Sequence, residues 1–488
     1  MKKLTPPFIP YIVAVIGIVL SSACVSKSNY TTPKFEIPTT YRTLDSIQNS
    51  TDSVGIADID WKSFFEDEQL IQWIDQGLQY NFDMQKALKN IEIANQKVLQ
   101  AKMGWLPSVS LDAANVAYQY RSENYYGSAA SNWYAHKSET APDNMYVNAA
   151  QYISALQVSW EVDIWGKIKS QKTEALARYL QTFEAQKAIQ TQVISQIAEG
   201  YYNLLLLDAQ LEVAQTNFEL SNNTLKIVQL QRDAGQITSL AIQQTRSQML
   251  VAKALIPSLN QQIALQENAL MLLMGQLPKG VQRIAKLSDL RYDETLSAGI
   301  PLYMVGKRPD VRSAELELKA KNAVVGVSQA NRYPSLKIDL SGGLNSMLAE
   351  NWFQIPGSLF GSLIGNLSQP LFNKRKLKTD FEVAKLERNK SEIDFQMTVY
   401  TAINDVTDAL ITLDLLNKQL EIAEEQVATS KLGIKQSNLL FNSGFATYLE
   451  IINAQRVALD SELNLNKLKQ NKLLARVKLY KSLGGGWK

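Results

Sequence analysis

The chain has 488 residues, 45% of them hydrophobic and 20% charged, with a formal net charge of only +3. No block of like charges stands out, which argues against nucleic acid as a partner. A single cysteine, Cys24, and a single histidine, His136, exclude an intrachain disulfide, a His/Cys metal site and a nucleophilic triad, so no catalytic residue, metal or cofactor is expected and the chain reads as a non-enzyme.

At the N-terminus, Lys2 and Lys3 precede an apolar run from Phe8 to Leu20 and then small residues before Cys24. The run is too short to span a bilayer, so residues 1–23 read as a cleaved export signal and 24–66 as a polar N-terminal segment. Next, Leu70, Ile71, Ile74, Leu78, Ala87, Leu88, Ile91 and Ala94 recur at helical spacing. They predict one helix from about Glu68 to Met103, stopped by Gly104 and Pro107. A β-rich stretch at about 108–120 and a polar loop holding His136 follow.

The clearest strand is expected over 152–165. Tyr152, Leu156, Val158, Trp160, Val162 and Ile164 fall on one face, and Gln157, Ser159, Glu161 and Asp163 on the other. That alternation fits a barrel strand with lipid outside and water inside, and equally a half-buried strand of a soluble sheet. From Lys167 to Asp233 there is no proline and only Gly200, which predicts a helical rod about 100 Å long. A turn over Ala234, Gly235, Gln236, Ile237 and Thr238 reverses it, with Gly235 free to take the left-handed conformation at the helix end. A return helix over 239–274 contains Pro257, which should kink it.

The plan then repeats. Ser159 and Ser368, Gly235 and Gly444, and Gly275 and Gly484 are each 209 residues apart, the mark of an internal duplication. The expected first repeat spans 67–276, an irregular linker 277–307, the second repeat 308–484 and a tail 485–488. The second repeat holds a helix from Arg308 to Asn331, strands at about 335–344 and 358–372, and helices at about 374–442 and 446–483. Its turn covers Ser443, Gly444, Phe445, Ala446 and Thr447. The fold class reads as mostly α, with a membrane β-barrel portion if the strands meet lipid, each repeat giving a strand hairpin and a long helical hairpin. Four strands cannot close in lipid without unsatisfied edges, so a barrel requires further copies. Three copies give twelve strands on a ring of twelve helices.

Several segments are similar to the TolC-type outer-membrane efflux proteins, in the acylated branch serving resistance-nodulation-division pumps. They are WKSFFEDEQL at Trp61–Leu70, SWEVDIWGK at Ser159–Lys167, KRPDVRSAE at Lys307–Glu315, SQPLFN at Ser368–Asn373, and the two glycine turns. LSSAC resembles the lipoprotein signal that makes Cys24 an acylated first residue, with its leucine one position early; Val25 after it points to the outer membrane. The resemblance implies a lipid-anchored homotrimer with a twelve-stranded barrel and a periplasmic helical tunnel. It implies docking of a periplasmic adaptor at the two turns and, through it, an inner-membrane transporter of that pump class. It also implies a gate just past the second turn, at Leu449, Glu450 and Asn453. Asn453 stands where an aspartate is common and Ala446 where some members use an arginine, which favours constriction by Leu449 with a ring of Glu450 carboxylates over a salt-bridge network. Like-charge repulsion in such a ring should raise the Glu450 pKa. The alternatives are a duct for type I protein secretion and a periplasmic coiled-coil scaffold without a pore.

Overall fold

The computed structural model describes residues 30–33, 35, 38, 60–120, 148–290 and 305–487. Cys24 and His136 lie outside the described residues. The described elements run α1 (Trp61–Phe64), α2 (Glu68–Tyr80), α3 (Phe82–Met103), β1 (Ser108–Tyr120), β2 (Asn148–Val162), α4 (Lys167–Asp233), α5 (Ser239–Leu273), α6 (Pro309–Ala330), β3 (Ser335–Ser346), β4 (Leu359–Ser368), α7 (Lys376–Asn442) and α8 (Tyr448–Ser482). Both ends of α4 and α5 stand 209 residues before those of α7 and α8, so the duplication extends to every helix boundary downstream of the strands.

The chain divides into two compact units, and α4 and α7 each begin in one and end in the other. The first unit contains a sheet of order β1-β2-β3-β4, antiparallel throughout. Its alternation follows the register: Val109 faces Val158, Val158 faces Leu340, and Leu340 faces Leu363. On the other face Ser110 pairs with Gln157, Gln157 with Ser341, and Ser341 with Ser362. β2 ends at Val162, so Ile164 lies past the strand on which the alternation places it; there the Asp163 carboxylate accepts from the Ile168 and Lys169 amides and turns the chain into α4. β4 likewise stops at Ser368, short of 372.

In the second unit the main core joins Leu70, Trp73 and Ile74 of α2 to Ile194, Ile197, Tyr201 and Leu205 of α4 and to Leu479 and Tyr480 of α8. Trp73 meets Tyr201 edge-on at 5.3 Å and Phe64 stacks on Tyr480 at 4.2 Å. The helix predicted as continuous from Glu68 to Met103 is broken at Asn81. Its Oδ1 accepts from the amides of Asp83 and Met84 (2.8 and 3.2 Å), and its Nδ2 donates to the Leu273 carbonyl at 2.8 Å. Asparagine is among the best N-caps, so it starts α3 afresh with Asp83 in the first turn. By contrast, α5 runs through Pro257 without a break.

Two arginines fasten the irregular parts of this unit. Arg283 of the linker donates to both oxygens of Asp208 at 2.7 Å and also to Glu267. Arg308, in the RPDV segment, is buried; it forks onto Asp310 (3.0 and 2.7 Å), reaches Asp405 of α7 at 3.0 Å and donates to the Ser482 carbonyl at 2.7 Å.

Candidate functional site: hairpin tips and pore wall

Both turns end their rods in the same way. Gly235 and Gly444 have φ of +76°, where L side chains are disfavoured. The amide of Gln236 donates to the Gln231 carbonyl and that of Phe445 to the Leu440 carbonyl (2.9 and 2.8 Å), closing the last turn of α4 and of α7. A small core separate from the main one, made of Val228, Ala241, Phe441 and Ile451 with Ile237, Ile242, Ala446 and Tyr448 against it, holds the two tips together. The Tyr448 hydroxyl adds a bond to the Gln244 amide oxygen. Ala234, Gly235, Gln236, Thr238, Ser443, Gly444 and Thr447 are exposed, and Phe445 is 84% exposed. The two turns therefore present one surface whose inner side is packed and whose outer side is free in the single chain.

Leu449, Glu450 and Asn453 lie together on the first turns of α8, all exposed. The structure gives Glu450 a role the sequence reading missed. Its carboxylate accepts from the Thr447 amide at 2.9 Å and from the Thr447 hydroxyl, while Thr447 Oγ1 accepts from the Leu449 amide at 3.3 Å. This is a capping box, legible in the spacing T-x-x-E. The Thr447 hydroxyl bond, helped by backbone amides, holds the carboxyl below its ordinary value. In the single chain the shift is thus opposite to the rise expected for a carboxylate ring. Asn453 Oδ1 accepts from Arg456 at 3.1 Å, so a cation stands one turn further along α8.

In the first unit the polar sheet face is tied laterally. Gln157 donates to Asp112 and Ser159 to Asp339, each at 2.6 Å. On the opposite face Val109, Leu111, Leu363 and Leu367 are mostly exposed. A soluble sheet would bury that face. Among the described residues nothing covers it, and the outer edges of β1 and β4 carry no partner strand. Among the described residues no helix is long and apolar enough to cross a membrane.

Residues 73–276 and 304–485 match the family model described as outer membrane efflux protein, so the match covers both repeats. The chain belongs to the outer membrane efflux protein family. It is 28% identical over 427 residues to the solvent efflux pump outer membrane protein SrpC of Pseudomonas putida, covering 87% of each chain. It is 25% identical over 487 residues to the probable outer membrane lipoprotein SilC of Salmonella typhimurium, covering 98% of each. The fold is similar to the open state of the Neisseria gonorrhoeae MtrE outer membrane channel, with a TM-score of 0.80 at 24% identity, covering 95% of this chain and 99% of that one. As a member of the efflux family the chain is an outer-membrane channel protein of an efflux pump.

Proposed function

We propose that three copies of the chain form the exit duct of a tripartite pump, passively conducting substrates received from an inner-membrane transporter of the resistance-nodulation-division type through a periplasmic adaptor. The observation that carries this is the four-stranded sheet, whose exposed apolar face is read as the face that meets lipid and whose two outer edges have no partner strand among the described residues. Edge groups in hydrocarbon cost several kcal/mol each, so the edges of neighbouring copies pair and close a twelve-stranded barrel. A scaffold without a pore has no use for such a face, and the likeness to SrpC favours efflux over protein secretion. Cys24 is proposed as the lipid anchor, in keeping with the likeness to SilC. The purified chain should run as a heat-modifiable trimer and conduct ions in planar bilayers; monomers without conductance would overturn the duct.

The adaptor is proposed to dock on the joined tips, Ala234–Thr238 and Ser443–Thr447. A Cβ at Gly235 or Gly444 meets nothing within 4 Å, so Gly444→Arg costs only the backbone strain, about 1 kcal/mol. Trimers should persist in the membrane while drug efflux in a susceptibility assay falls to the level of a deletion; normal efflux would remove the docking role.

The gate is proposed at Leu449, Glu450 and Asn453. Glu450→Gln separates charge from cap, because glutamine still closes a capping box. The expected result is an unchanged melting temperature with reduced cation selectivity in single-channel recordings. Unchanged selectivity would leave Glu450 as a helix cap alone.

A further inference from the structure

Cations and exposed apolar side chains gather at the rod-proximal end of the sheet. After β4, Leu371 and Phe372 are 94% and 88% exposed. They are followed by Lys374 and Arg375, whose φ of 52° and 66° lie in the left-handed region that L side chains adopt at a cost. Among the described residues neither cation pairs with an acid, whereas the next one, Lys376, pairs with Asp380 at 2.7 Å. These charges open α7, whose first turn holds no acidic residue. Cations there oppose the helix dipole, and an anion at that place would reverse the balance. Just before β1, Trp105 is 62% exposed, and its carbonyl accepts from the Trp160 indole at 2.9 Å. Trp105, Pro107, Trp160, Ile338 and Leu363 line an almost purely apolar hollow of about 370 Å³ on the outward face of the sheet.

We propose that this rim binds an anionic phospholipid of the periplasmic leaflet, an acyl chain lying in the hollow and the phosphate engaging the Lys374–Arg375 corner. The inference rests on the outer-membrane reading above. Three features commit it to lipid. The hollow is continuous with the face that meets lipid, exposed tryptophans mark membrane interfaces, and unpaired basic residues next to a membrane segment select anionic headgroups. The alternative occupant of the rim is the neighbouring copy of the chain.

The test is native mass spectrometry of the intact oligomer released from bilayers of phosphatidylethanolamine containing one-quarter phosphatidylglycerol. Retained phosphatidylglycerol should be enriched over its share in the bilayer. Lys374→Gln and Arg375→Gln should each cut the enrichment about fivefold, with the oligomer intact and Lys435→Gln on α7 without effect. Trp105→Ala should lower the total lipid retained. Intact oligomers holding both lipids in bilayer proportion, or enrichment unchanged in the charge variants, would overturn the proposal and leave the channel standing. Loss of the oligomer in both charge variants would assign the rim to the subunit interface instead. Failure of the unaltered chain to enter bilayers would sink the membrane reading along with the proposal.

Discussion

Arg308→Met should cost the folded chain about 3 kcal/mol, read as a fall in the urea or thermal midpoint of the purified channel. Arg308 is buried and serves Asp310, Asp405 and the Ser482 carbonyl together, joining the start of α6 to α7 and to the end of α8. Removing one partner of such a cluster leaves the others desolvated without compensation, worth about 3–5 kcal/mol. The aspartate side chains are 45% and 39% exposed, so water softens the loss toward the lower figure. Arg308→Lys keeps the charge but loses the planar fork, and an intermediate midpoint is expected. Burial alone would raise the Asp310 pKa, but the hydrogen bonds and charge of Arg308 outweigh it and hold the group below its ordinary value of 3.8. Its contribution is therefore complete above about pH 3.8 and fades as pH falls through the folded value. Above that pH the deficit of Arg308→Met should be constant; a deficit that vanished at neutral pH would show that the cluster is not structural.

The architecture was legible because its signals are long. A stretch as free of breakers as Lys167–Asp233 has few alternatives to a rod, and three glycines repeated at one spacing declare the duplication. What stayed hidden depends on single side chains choosing among partners. Asn81 carries no helix-breaking backbone, and only its position before Asp83 hints that it caps a new helix. Glu450 drew attention as a possible ring charge, yet its distance from Thr447 is that of a capping box, a local bond that forms in one chain regardless of its neighbours. The RPDV segment served as a family mark, while the buried fork of Arg308 could not be seen until Asp405, far along the chain, was placed beside it. At the tips, the alternation of exposed and half-buried residues is set by the small core around Phe441 and Ile451, which joins two hairpins that are separate in sequence.

Gly343→Ala should abolish the folded barrel, whereas Gly361→Ala, in the neighbouring strand, should not. At Gly343 an added Cβ would stand 2.0 Å from the Ser154 carbonyl oxygen and 2.7 Å from the Ala155 Cα, both backbone atoms that cannot swing aside. At Gly361 it would meet nothing within 4 Å. The closeness belongs to a bend. Gly343 pairs with Ala155, which is almost fully buried, and β1 slips its register by a bulge between Asp112 and Asn115 at the same level. The Ala113 carbonyl, freed by that bulge, accepts from the Ser154 hydroxyl at 2.6 Å. Gly343 and Ala155 share the polar face with Gln157 and Ser341, so small residues line the inside of the curve, where strands curling toward a pore crowd together. A methyl there forces the strands apart at about 3 kcal/mol, the upper end of overpacking costs. In the proposed trimer, flattening one sheet also misaligns the edges that pair with those of the next copy. The fraction of heat-modifiable oligomer in outer-membrane extracts should therefore collapse for Gly343→Ala and stay at the parent level for Gly361→Ala. Equal assembly of the two variants would show that closure does not depend on this bend.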